Sequence, residues 1–227
     1  MAALRSLVLR RGTAAAWERL GFTATTDGAI AIGGVTVHFS GKATRTRISG
    51  WILGGGHSAE CLDGVPTAWE RTRALDQREC ATRHPNGAIA VDSVVVSTKD
   101  VTSTVSALEE RGGFLLKRRS HEIRPGFDIA LFRTNVIVEL IGPTLEPDGE
   151  RIANSARIWG LTVTLPSADF EAIAAELRVR ALAGKVRPAV QRGRRIFTCK
   201  QSAELGVHLA FMTPHVSDVS GSPRGKL

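Results

Sequence analysis

Residues Ile89 to Ser97 are rich in Val, with polar residues set among the apolar ones, the signature of a strand. Asp100 follows as a helix cap, and Val101, Val105 and Leu108 then recur at helical spacing along one face. Gly112 and Gly113 end that helix. Further strands are predicted near Phe114–Arg119, over Phe127–Arg133 and over Val136–Ile141, with turns at Arg124-Pro125-Gly126 and Thr134-Asn135. The same order returns later in the chain. Ile158–Leu165 reads as a strand, Ser167 as a cap, and Phe170, Ile173, Ala174 and Leu177 as the inner stripe of a helix. Arg195–Lys200 and Val207–Met212 read as closing strands. A shorter copy opens the chain, with a strand over Leu4–Arg10, a helix capped by Thr13 that carries Trp17 and Leu20, and strands on either side of Gly33-Gly34. Ile48–Gly56 starts a fourth copy, but His57–Gly87 is polar, carries Pro66 and Pro85, and shows no clear closing strands.

This repetition predicts an α+β fold of paired βαβββ modules, whose curved mixed sheets enclose a cup. The expected divisions are a degenerate N-terminal part and connection over 1–86, a better-formed pair of modules over 88–214, and a disordered tail rich in Ser, Gly and Pro over 215–227. A cup between modules is a natural seat for a small organic molecule.

Composition narrows the partners. Apolar runs stop after a few residues, so no membrane span is expected, and MAALRSLVLRRG reads as a first strand rather than a secretory leader. Cys61, Cys80 and Cys199 are widely spaced and odd in number, which favours reduced thiols in a cytoplasm over a disulfide framework or a zinc site. The net charge of +8 raises the question of nucleic acid. The Arg residues are scattered, however, and Tyr is absent, so a stacking platform for bases is missing and a nucleic-acid partner is not expected.

The segments AIAVDSVVV (Ala88–Val96), NVIVELIGP (Asn135–Pro143) and IWGLTV (Ile158–Val163) resemble the vicinal oxygen chelate superfamily, which holds glyoxalase I, bleomycin-resistance proteins and extradiol dioxygenases. The likeness is greatest to glyoxalase-like domain proteins. It implies a cup whose metal ligands come from the first and last strands of each module. In this chain the matching places are Ser93, Glu139, Gly160 and Ala210, and in the N-terminal copy Ser6 and His38 fall over Ser93 and Glu139. A divalent ion that polarises neighbouring substrate oxygens needs three or four N or O ligands. Only Glu139 qualifies in the 88–214 cup, so no metal or other cofactor is expected there. His208 shares a face with Ala210 and is either a rescuing ligand or a polar residue at the rim.

Glu139 sits among apolar neighbours and must be paired, protonated or wet. If desolvated, it becomes a general base near neutral pH, suited to a lyase or isomerase step next to a carbonyl. Arg133 and Arg195, on neighbouring strands, could pair with it, or could clamp a carboxylate or phosphate of a ligand. The expected site is therefore Glu139 as the catalytic group, with Ser93, Arg133, Arg195 and His208 around the ligand. The alternative is a protein of the bleomycin-resistance type that binds or sequesters without turnover. A homodimer that completes the N-terminal cup would fit either reading, and there His38 could join a metal with ligands from the partner. Trp17, Trp51, Trp69 and Trp159 read as core or interface anchors, and the closeness of His57, Cys61 and Asp63 as chance.

Overall fold

A computed structural model describes residues 2–40, 48–55, 57–70, 83–144 and 152–215. The chain forms two sheets. The first holds β1 (Ala3–Leu9), β2 (Ile30–Ile32), β3 (Val35–Phe39), β4 (Ile48–Gly54), β5 (Cys61–Leu62) and β6 (Val65–Glu70), in the order β2-β3-β1-β4-β6-β5. Helix α1 (Ala14–Glu18) links β1 to β2, and its cap is Thr13, whose side chain accepts from the Ala16 N–H at 3.2 Å. Gly33 and Gly34, at φ +55° and +86°, make the tight turn between β2 and β3.

The second sheet holds β7 (Ala90–Ser97), β8 (Leu115–Ser120), β9 (Phe127–Arg133), β10 (Ile137–Pro143), β11 (Arg157–Thr164), β12 (Arg187–Pro188), β13 (Arg195–Thr198) and β14 (His208–Met212). Their order is β12-β13-β14-β11-β7-β10-β9-β8. Helix α2 (Val101–Ser106) follows β7 and runs on as a π-helical turn over Ala107–Arg111; α3 (Phe170–Val179) follows β11. Asp100 caps α2 as expected, accepting from the Ser103 N–H at 3.0 Å. Each half of this sheet is a βαβββ module whose last strand lies parallel to its first, and the halves join where β7 and β11 pair antiparallel. The first sheet repeats the plan: β3 is parallel to β1, β6 is parallel to β4, and β1 meets β4 antiparallel.

Three expectations change. The segment after Ile48 does close, through the short strands β5 and β6, so a fourth module is present among the described residues. Two-residue β5 and proline-bearing β6 are too short and too polar to announce themselves by alternation. Helix α3 begins after Asp169 rather than Ser167, because residues 167–169 form a turn that delivers Phe170 against Phe197, their ring centroids 5.1 Å apart. The edge strand β12 carries no apolar pattern and was not anticipated. Of the expected disordered tail, His215 is described and 216–227 lie outside the described residues, as does much of the connection, 71–82.

One hydrophobic core runs through both sheets. Trp51 stacks on Phe114 and Phe22 on Phe211, with centroids 5.6 Å and 5.9 Å apart, and each pair joins the N-terminal modules to the later ones. Val94, Val96, Val138 and Leu140 point into this core beside α2. Alternation therefore turns Ser93, Val95, Ile137, Glu139 and Ile141 to the opposite face of the eight-stranded sheet. No helix among the described residues is long and apolar enough to cross a membrane.

Candidate functional site

Cross-strand register defines that opposite face. Val95 pairs with Glu139 on one side and with Gly160 on the other; Glu139 pairs with Leu131, and Gly160 with His208. The row across the sheet is thus Leu131, Glu139, Val95, Gly160, His208. The next row is Leu115, Arg133, Ile137, Ser93, Thr162, Ala210, Thr198. Ser93 and Glu139 come together near the centre, and Arg133 and His208 share their face.

Glu139 is half-buried, and among the described residues it has no hydrogen-bond or ion-pair partner. Burial raises its carboxyl above the ordinary value, and the charge of Asp92 raises it further. Asp92 itself sits at an irregularity in the β7–β11 ladder. Its carboxylate meets the fully buried Arg194 at 2.7 Å, and Arg194 also donates through Nε to the Thr213 carbonyl at 2.6 Å. This ion pair bridges 102 residues, so no local pattern could have revealed it.

Arg195 turns away from the Glu139 face. Two residues before Phe197 on β13, it shares that residue's core-facing side of the sheet, where α3 packs, and its guanidinium meets Glu171 of α3 at 2.5 Å. Glu171 lies beyond the reach of strand-pattern reasoning, which is why the pairing was missed. Arg133 is exposed beside Leu115 and Ile137 and makes no ion pair with Glu139.

Trp159, expected as a core or interface anchor, is not in the core. It is the extra residue where the β7–β11 register shifts, is 45% exposed, and stacks on His208 with centroids 4.3 Å apart and planes 20° apart. His208 borders a cavity of about 160 Å³ lined by Cys199 to Gln201 and Glu204 to His208. Trp17 and Trp51 are buried as expected; Trp69 is partly buried and donates to the Ala59 carbonyl at 2.7 Å.

The pseudo-twofold relation between β7 and β11 makes Ser93 equivalent to Gly160 and Glu139 equivalent to Ala210. In the first sheet the same relation groups Ser6, His38, Gly50 and Ala68, because Val8 pairs with both His38 and Gly50 while Ser6 and Ala68 pair with Ile52. The two sheets thus carry Ser, Gly and Ala at three equivalent positions and differ at the fourth, His38 in one and Glu139 in the other. The glycines have a packing reason. A Cβ at Gly160 would meet the His208 carbonyl oxygen at 2.8 Å, and one at Gly50 the Pro66 carbonyl oxygen at 2.2 Å. A set of one carboxylate, one hydroxyl, a glycine and an alanine does not fit a divalent ion.

No family model matches the chain, and no curated protein matches it. Solved structures do. Methylmalonyl-CoA epimerase from Mycobacterium tuberculosis is 16% identical at a TM-score of 0.45, over 60% of this chain and 95% of its own. The epimerase from Streptomyces coelicolor, solved with 2-nitronate-propionyl-CoA, is 20% identical at 0.41, over 56% and 94%. A hypothetical protein from Bacillus halodurans is 14% identical at 0.44, over 60% and 97%. Strand order and the joining of modules through their first strands are those of a mixed α+β fold of paired βαβββ modules.

Proposed function

We propose that the Glu139 face of the eight-stranded sheet binds a small carbonyl compound and moves a proton on the carbon next to the carbonyl, an isomerase-type step. The observation that carries this is a half-buried carboxylate, held above its ordinary pKa by burial, with no protein partner among the described residues. Such a group is expensive to keep for packing alone and is tuned for proton transfer. In the step, the C–H bond breaks, its proton passes to a Glu139 oxygen, and the electron pair becomes an enolate on the carbonyl oxygen. The Ser93 hydroxyl, on the same face, serves to donate to that oxygen. Arg133 serves to hold an anionic group of the ligand. Return of the proton to the same or the neighbouring carbon completes the exchange.

The test is solvent-deuterium exchange into small enolisable keto acids. Wild type is expected to exchange the acidic C–H above the buffer rate, and Glu139→Gln to lose at least ~100-fold of that enhancement while binding stays within about threefold. Exchange that survives in Glu139→Gln overturns Glu139 as the base. Binding without exchange in wild type favours the sequestering alternative.

A further inference from the structure

Trp159 is the one large aromatic side chain among the described residues with nearly half its surface exposed, and it is not scattered on the outside of the molecule. Its ring lies on the imidazole of His208 in a near-parallel stack. His208, Gly160, Val95 and Glu139 are successive register neighbours on one face, so the stack stands in the same row as the carboxylate, three strands away or roughly 14 Å. Gly160 lies between them and has no side chain to fill the floor, and it cannot gain one without striking the His208 carbonyl. Leu115 and Ile137, also on this face, are 42% and 37% exposed. Flat aromatic surface at one end, a bare floor, and apolar flanks around a carboxylate and Arg133 together describe the ligand.

We infer that the ligand carries a planar aromatic ring that stacks on Trp159, joined by a flexible arm of several carbons to an acidic carbonyl group that reaches Glu139 and Arg133. This deepens the function proposed above by naming the substrate class, an aryl-substituted keto acid. A stacked ring needs only a π-face and a matched distance, and an indole already seated on an imidazole offers both without rearrangement. The sheet bulge is what provides it, because the register shift turns Trp159 out of strict alternation and over His208.

The probes are 2-oxo-6-phenylhexanoate and 2-oxohexanoate, which share the keto acid and its carbon arm and differ by the ring; phenylpyruvate is too short to span the three strands. Titration calorimetry on the full chain is expected to show 2-oxo-6-phenylhexanoate binding about tenfold more tightly than 2-oxohexanoate, the scale of one aromatic pair. Trp159→Ala should make the two probes bind alike, and Trp159→Phe should restore most of the preference. Trp69→Phe, away from this face, should leave it unchanged. A preference that survives in Trp159→Ala overturns the inference. So does a wild-type protein whose Trp159 fluorescence becomes shielded with rising protein concentration and no ligand, since the surface would then belong to a second copy. Failure of the proton-transfer reading is seen separately: 2-oxo-6-phenylhexanoate then binds with its Trp159-dependent preference but exchanges no deuterium in wild type.

Discussion

Two buried titratable groups pull the stability of this protein in opposite directions with pH. Glu139 has its carboxyl raised from the ordinary 4.5 by burial and by Asp92. Its favourable contribution to folding is complete below that value and is lost as pH rises through the raised native pKa. Glu139→Gln is therefore expected to be more stable than wild type at neutral pH and to lose this advantage on acidification, read as urea midpoints across a pH series. A variant that loses activity and gains stability is the mark of a group retained for chemistry. His84 behaves in the opposite sense. Its Nδ1 accepts from the Thr23 N–H at 3.0 Å and its Nε2 lies 2.8 Å from the Ala31 carbonyl, which sets the neutral Nε2–H tautomer. Burial lowers its pKa from the ordinary 6.5, so its contribution is present above that value and is lost as pH falls through the lowered native one. His84→Ala should cost about 1–3 kcal/mol at pH 7.5 and flatten the acid limb of the same series. The Cys199 thiol, pushed up to about 12 by burial, should stay unreactive to alkylating agents until the protein unfolds.

At the scale of strands and helices, legibility followed length and regularity. Strands β7, β9, β10 and β11 and helix α2 stand out by period, since each shows one face to the core and the other to solvent or the cup. The placing of Ser93, Glu139, Gly160 and Ala210 on one face followed from that same alternation. What escaped was whatever depended on partners far away in sequence: the two-residue β5 and β12, the turn of Arg195 toward Glu171, the Asp92–Arg194 pair, and the bulge that exposes Trp159. A bulge has no signature in one strand, because it is a mismatch between two. Gly160 tests how much the close approach of β11 and β14 matters. Gly160→Val places carbon atoms against the His208 carbonyl and is expected to cost about 1–3 kcal/mol, measured by denaturation, and to disturb the Trp159–His208 stack.

Across the whole molecule, the segment that reads as least ordered in sequence joins the two sheets. Asp63, between β5 and β6, is buried at φ +47°. One carboxylate oxygen accepts from the Thr104 hydroxyl of α2 and the other from the Asn154 N–H, each at 2.5 Å, and its carbonyl accepts from the Ala156 N–H at 2.8 Å. The hairpin of the N-terminal sheet is thereby bonded both to the helix behind the Glu139 face and to the entry of β11. Asn135 grips Leu4 in the same manner, through Oδ1 to the Leu4 N–H at 2.7 Å and Nδ2 to the Leu4 carbonyl at 2.8 Å. With one core and these polar clamps between the sheets, the chain should unfold in a single transition rather than as separate 1–86 and 88–214 parts. Asp63→Ala would leave the Thr104 hydroxyl and the Asn154 N–H without their buried acceptor, at a cost of about 2–4 kcal/mol. Because the lost contact belongs to both sheets, the fluorescence of Trp51 and the far-UV dichroism should shift to lower denaturant together. Two separated transitions in Asp63→Ala would mean that the shared core and the Asn135 clamp do not couple the sheets without this side chain. Coincident transitions would mean that the N-terminal modules act as the second wall of the fold that supports the Glu139 face.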